Sequence, residues 1–216
     1  MKYERGVIVA VLAFMLAVIL YFLFEDMDTV VRMVIRGAGL LGYFFLFLAI
    51  LSSEYLAQMR RTFGRSFINV HHNFARIGVA LILIHPITVA YQSGLDVLLP
   101  VLYPLMDFLR LGGRTALYLV LIAVLAGVYR KKIPKKWKTV HAFNFFAFLL
   151  IFIHAWLIGT DLQNGVMQFL WLAMALIVIY VFFDKHIIPD KRKKKSKRPQ
   201  GMKSKEKKSQ DDNEQK

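Results

Sequence analysis

Apolar residues in this chain occur in long unbroken blocks, not in the two-residue alternation of a half-buried strand. All eighteen positions from Val7 to Phe24 are apolar. Further blocks run from about Val34 to Leu51, His71 to Tyr91, Thr115 to Tyr129, Thr139 to Ile158 and Val166 to Phe183. A helix rises about 1.5 Å per residue, so roughly twenty residues cover the hydrocarbon thickness of a bilayer. The pattern therefore predicts an all-α integral membrane protein, a bundle of six spanning helices. The fourth block is short and is expected to begin earlier, near Leu109, with Gly112 and Gly113 in its first turns. Gly37, Gly39 and Gly42 in the second block suit close helix packing.

Polar segments between the blocks alternate in sign. Glu25, Asp26 and Asp28 fill the first connection, and Arg60, Arg61 and Arg65 the second. The third, Gln92 to Gly113, balances Asp96 and Asp107 against Arg110 and Arg114. The fourth is Arg130-Lys131-Lys132-Ile133-Pro134-Lys135-Lys136-Trp137-Lys138, and the fifth has Asp161 as its one charge. The positive-inside rule then puts both termini and the second and fourth connections in the cytoplasm of a multi-pass plasma-membrane protein. Lys2 and Arg5 precede the first block as in a signal peptide, but its length and the lack of a small-x-small cleavage site predict an uncleaved span.

The formal charge of +15 is a property of these connections and of the tail, so it does not imply nucleic acid. Residues 190–216 are too polar to bury a core, and the domain reading is residues 1–184 as the membrane unit with 185–216 as a basic, disordered cytoplasmic tail. That tail suits a stop-transfer anchor or attraction to anionic membrane lipid. The absence of cysteine excludes disulfides, thiolate metal sites and iron–sulfur clusters.

Histidines supply the candidate chemistry. His71 and His85 lie fourteen residues apart on the third block, and His141 and His154 thirteen apart on the fifth. Both blocks run from inside to outside, so the residues pair by depth. His71 falls level with His141, and His85 with His154, the two levels separated by about 20 Å. A zinc or copper centre needs its ligands around one ion, whereas two facing imidazoles at each level suit a flat macrocycle, haem, with both axial positions filled. Fourteen residues return to within about 40° of one helix face, but thirteen land about 140° away. A local wide turn, a kink or different rotamers must supply the difference. His72 is an alternative to His71, and His186 is interfacial.

His71-His72-Asn73-Phe74-Ala75-Arg76 followed by His85 resembles the third span of the ferric reductase and NADPH oxidase superfamily, and Trp137-Lys138-Thr139-Val140-His141 followed by His154 and Trp156 resembles its fifth. The resemblance covers about residues 35–183 and extends to the haem-binding membrane subunit of the periplasmic methionine sulfoxide reductase system. It favours His71 over His72, because Ala75 and Arg76 then fall in register. Ala75 stands where the family commonly has Gly, and the sulfoxide reductase subunit lacks a match to His71.

The resemblance implies a ferric reductase-like b-type cytochrome, the haem-bearing membrane component of an oxidoreductase. Two haem b groups would be held by His71, His85, His141 and His154. Electrons would pass from a cytoplasmic flavoprotein, carrying FMN or FAD, or from membrane quinol to an extracytoplasmic acceptor. No dinucleotide fingerprint follows the last span, so the expected donor is a separate flavoprotein or membrane quinol. Arg76 is the expected haem-propionate partner inside, with Arg65 or Lys138 assisting, and Arg114 and Arg110 outside. Phe152 and Trp156 are candidates to pack on the outer macrocycle, which the third connection would cap. Two other readings are a membrane subunit serving a periplasmic sulfoxide reductase and a non-enzymatic metal or haem transporter or sensor.

Overall fold

A computed structural model describes residues 2–25, 29–54 and 67–184, and all regular structure among them is helical. The helices are α1 (Lys2–Glu25), α2 (Val30–Glu54), α3 (Phe67–Ser93), α4 (Leu105–Arg110), α5 (Gly112–Val128), α6 (Trp137–His141), α7 (Phe143–Ile158) and α8 (Gly165–Phe182). Short 3-10 turns at Leu95–Leu98 and Asp161–Gln163 lie in the third and fifth connections. Met1–Val181 forms one compact unit and Phe182–Lys216 a second, of which only Phe182–Asp184 are described. Arg60, Arg61, Arg65, His186 and the predicted disordered tail lie outside the described residues.

Among the described residues five helical segments are long and apolar enough to cross a membrane: Gly6–Glu25, Val30–Glu54, Asn69–Ser93, Trp137–Ile158 and Gly165–Phe182. The sixth predicted span is α5, which does begin earlier than Thr115, with Gly112 and Gly113 in its first turn. Its 17 residues cover only about 25 Å. Leu111 separates it from α4, so the two do not merge into one span.

Apolar stripes set the packing. Met15, Ile19 and Leu23, four residues apart on α1, are buried, and Gly37 of α2 admits the Leu23 side chain at 3.3 Å from the place a Cβ would take. The broadest helix pairing is α2 against α3, followed by α5 against α7. Gly42 meets Ile82 and Leu81, and Gly78 meets the main chain of Phe45 and Leu46. Removing two side chains lets the α2 and α3 backbones approach, which a membrane bundle needs because lipid offers no hydrophobic drive to associate. Ala116 and Val120 of α5 lock onto Ala147 and Leu150 of α7. Between the pairs, Tyr43 stacks on Phe148 at 4.3 Å and on Trp171 at 5.1 Å, tying α2, α7 and α8 through three fully buried rings.

Candidate functional site: four imidazoles on main-chain carbonyls

Each of the four histidines has its Nδ1 at a backbone carbonyl. The partners are Ala49 for His71 (2.9 Å), Ile35 for His85 (2.9 Å), Ala123 for His141 (2.8 Å) and Arg110 for His154 (2.7 Å). A carbonyl oxygen only accepts, so each Nδ1 carries the hydrogen and donates it. In a neutral ring Nε2 is then the nitrogen with a free lone pair, the atom that binds a metal. Imidazoles that ligate metals characteristically donate their other N–H in this way, which fixes the tautomer and the ring plane. His72 makes no such bond among the described residues, and its ring lies 5.7 Å from that of His71.

Glycine makes three of these carbonyls reachable. In a helix the side chain at i+4 crowds the carbonyl at i, and Gly39 stands four residues after Ile35, Gly127 four after Ala123, and Gly113 three after Arg110. A Cβ at Gly39 would lie 3.1 Å from His85 Nδ1, and one at Gly127 3.3 Å from His141 Nδ1. One at Gly113 would sit 2.8 Å from His154 Cδ2 and 2.9 Å from its Nε2. The fourth carbonyl, Ala49, is followed by Ser52 and Ser53. Ser52 Oγ donates to Ala49 O at 2.9 Å and lies 3.4 Å from His71 Nδ1.

The acceptors repeat the spacing of the donors. Ile35 and Ala49 are fourteen residues apart, as are His85 and His71, so α2 and α3 run antiparallel in register. Arg110 and Ala123 are thirteen apart, as are His154 and His141, and the α4–α5 segment runs antiparallel to α6–α7. His71 lies within electrostatic reach of His141, and His154 within reach of His85. Hence α3 and α7 run parallel, with His71 on the side of His141 and His85 on the side of His154. Among the described residues no three His, Asp or Glu side chains gather around one point.

The thirteen-residue spacing is met by irregular backbone in both partners. The fifth segment breaks at Ala142, where Phe145 N–H bonds the carbonyl three residues back at 3.0 Å. That turn is tighter than α, so of the three alternatives it is not the wide turn that operates here, and each 3-10 residue advances about 120° instead of 100°. Overwinding shortens the roughly 140° by which thirteen α-helical residues fall short of four turns. On the other side, the break at Leu111 frees the Arg110 carbonyl at the end of α4 for His154.

Between His85 and His154 lies a cavity of about 370 Å³, within the range of roughly 300–1,000 Å³ for cofactor-sized ligands. Its walls are mainly apolar, with Ile82, Pro86, Val89, Leu117 and Ile151 among them. Val97 and Leu111 bring the third connection over it, and that connection is pinned by Arg114 Nη1 to the carbonyls of Asp96 (3.2 Å) and Leu99 (3.4 Å) and by Tyr118 Oη to that of Leu98 (2.9 Å). An apolar slot flanked by two imidazoles with free Nε2 lone pairs, and backed by glycine at each ring, fits a flat, mostly apolar macrocycle.

Of the other sequence candidates, Arg114 lines the cavity, whereas Arg110 contributes its carbonyl. Arg76 is exposed on α3. Trp137 lies 6.2 Å from the His141 ring, under the Lys138 ammonium at 5.8 Å. Phe152 and Trp156 pack on one another at 5.5 Å, and Trp156 is 41% exposed. Sequence reasoning missed one pair: Arg36 Nη2 donates to Asp161 Oδ1 at 2.6 Å and to the Phe22 carbonyl at 2.9 Å, and both charged side chains are largely, though not fully, withdrawn from solvent at the cavity wall. The pair is 125 residues apart in sequence; its one local signal is that Asp161 is the single charge in its connection. Compared with known proteins, the chain matches no family model, no curated protein and no solved structure.

Proposed function

We propose that the chain is a transmembrane b-type cytochrome of the ferric reductase-like kind, a multi-pass plasma-membrane protein with both termini in the cytoplasm. The observation that carries this reading is the shared posture of the four imidazoles, each donating Nδ1–H to a main-chain carbonyl at 2.7–2.9 Å. His71 and His141 would hold one haem b near the inner face, and His85 and His154 a second near the outer. Haem held between such histidines would supply reversible one-electron transfer in place of gas binding.

The residues of the chain perform three tasks in this reading. The carbonyls of Ala49, Ile35, Ala123 and Arg110 keep the rings from rotating and raise the basicity of each Nε2. Gly39, Gly113 and Gly127 leave room for the rings at the carbonyls. The third connection, held down by Arg114 and Tyr118, covers the outer pocket on the side where an extracytoplasmic acceptor would dock. The basic fourth connection, directly before His141, lies at the face where a flavoprotein or quinol donor would deliver electrons. That His71 is held like the other three favours the two-haem ferric reductase type over the sulfoxide reductase subunit.

The test is spectroscopic. Full-length protein purified from haem-sufficient cells is expected to show a Soret band, a low-spin bis-imidazole signature and two haems per chain. Protein with no Soret band under those conditions overturns the reading.

A further inference from the structure

The four ligand positions are not equivalent, and the difference lies at His71. Three carbonyl acceptors are backed by glycine, so His85, His141 and His154 meet a carbonyl with no side chain beside the ring. Ala49 instead accepts from two side chains, from His71 Nδ1 at 2.9 Å and from Ser52 Oγ at 2.9 Å. Ser52 is 1% exposed and is the one polar residue in the buried core among the described residues. Its hydroxyl also lies 3.4 Å from the same His71 nitrogen.

We propose that Ser52 is a positioning residue that sets the reduction potential of the inner site apart from that of the outer one, an inference that rests on the haem reading above. A carbonyl that accepts one strong hydrogen bond draws positive charge off the donor ring, and the ring becomes a more basic ligand. A more basic axial imidazole favours the ferric state and lowers the potential. At Ala49 the lone pairs are divided between Ser52 and His71, so His71 receives a smaller share of that effect. The Ser52 hydroxyl thereby holds the inner couple higher than a glycine-backed site would. The outer pair, with one side chain per carbonyl at Ile35 and Arg110, has no such divided acceptor among the described residues.

Ser52→Ala tests this with little change in volume. Potentiometric titration of the full-length haem-loaded protein resolves two one-electron couples, and the inner one is identified as the couple lost in His141→Ala. In Ser52→Ala the inner couple is expected to move down, so that at fixed poise its reduced-to-oxidised ratio falls roughly three- to tenfold, the scale of one redistributed hydrogen bond. The outer couple stays in place. Ser52→Thr, which keeps the hydroxyl, restores the original value. An unmoved or raised inner couple in Ser52→Ala, or a shift confined to the outer couple, overturns the proposal while leaving the two-haem reading intact. Protein that takes up no haem overturns both.

Discussion

An imidazole offers two nitrogens, and at all four candidate positions the main chain takes the same one. This makes glycine the most sensitive neighbour. At Gly113 a methyl group would stand 2.8 Å from His154 Cδ2, inside van der Waals contact, and the ring has to give way because α7 is fixed by Ala147 and Leu150 against α5. If the proposed two-haem reading holds, Gly113→Ala is expected to lower the haem content from two per chain toward one, measured by the pyridine complex of extracted haem. Gly39→Ala, at 3.1 Å, should have a smaller effect and Gly127→Ala, at 3.3 Å, the smallest. Overpacking of this kind costs about 1–3 kcal/mol. Tyr43 is a different case. Its hydroxyl is buried without a hydrogen-bond partner among the described residues, while its ring stacks on Phe148 and Trp171. Tyr43→Phe should therefore leave the thermal midpoint unchanged or raise it, whereas Tyr43→Ala should remove about 3–5 kcal/mol.

At the scale of elements, Arg36 joins three parts of the fold that are remote in sequence. It reaches the end of α1 through Phe22 O and the connection between α7 and α8 through Asp161, both from α2. A buried pair contributes little net stability when intact, because desolvation offsets the attraction, but losing one partner strands a charge. Asp161→Ala is expected to destabilise the protein by about 3–5 kcal/mol, read as a lowered unfolding midpoint in detergent. The double variant Arg36→Met with Asp161→Leu should recover most of that loss. A single variant as mild as the double would show that the pair is solvated. The breaks at Leu111 and Ala142 belong to the same scale: each interrupts a helix where a histidine or its carbonyl must turn toward its partner.

For the whole molecule, the parallel course of α3 and α7 makes the sites separable by level. Under the proposed two-haem reading, His71→Ala and His141→Ala are expected to abolish one redox couple, and His85→Ala and His154→Ala the other. A His71→Ala variant that keeps both couples would move the inner ligand to His72. If instead His71→Ala and His85→Ala removed one shared couple, the pairing by depth would be wrong.

Much of this arrangement is legible in the order of residues alone. Block length and the lack of alternation specify helices because backbone geometry is the same everywhere, and a spacing of thirteen or fourteen residues converts directly into depth. The four candidate histidines and the existence of most long helices follow from such one-dimensional quantities, whereas the first three spans begin four or five residues before the expected positions. Azimuth does not, because it accumulates every local departure from the ideal turn, and neither the tight turn at Ala142 nor the stop at Leu111 carries a strong sequence signal. The carbonyl acceptors are equally silent, since every residue has one and only the packing of α2 on α3 and of α5 on α7 selects Ala49, Ile35, Ala123 and Arg110. Gly39 read as a packing glycine in the sequence, and tertiary contact gave it a ring to admit. Arg36 and Asp161 looked like two unrelated charges until folding brought them to 2.6 Å. The chain by itself determined what each residue could do along its own helix, and the tertiary structure decided which groups on different helices meet, because that depends on rotation and approach that no single segment encodes.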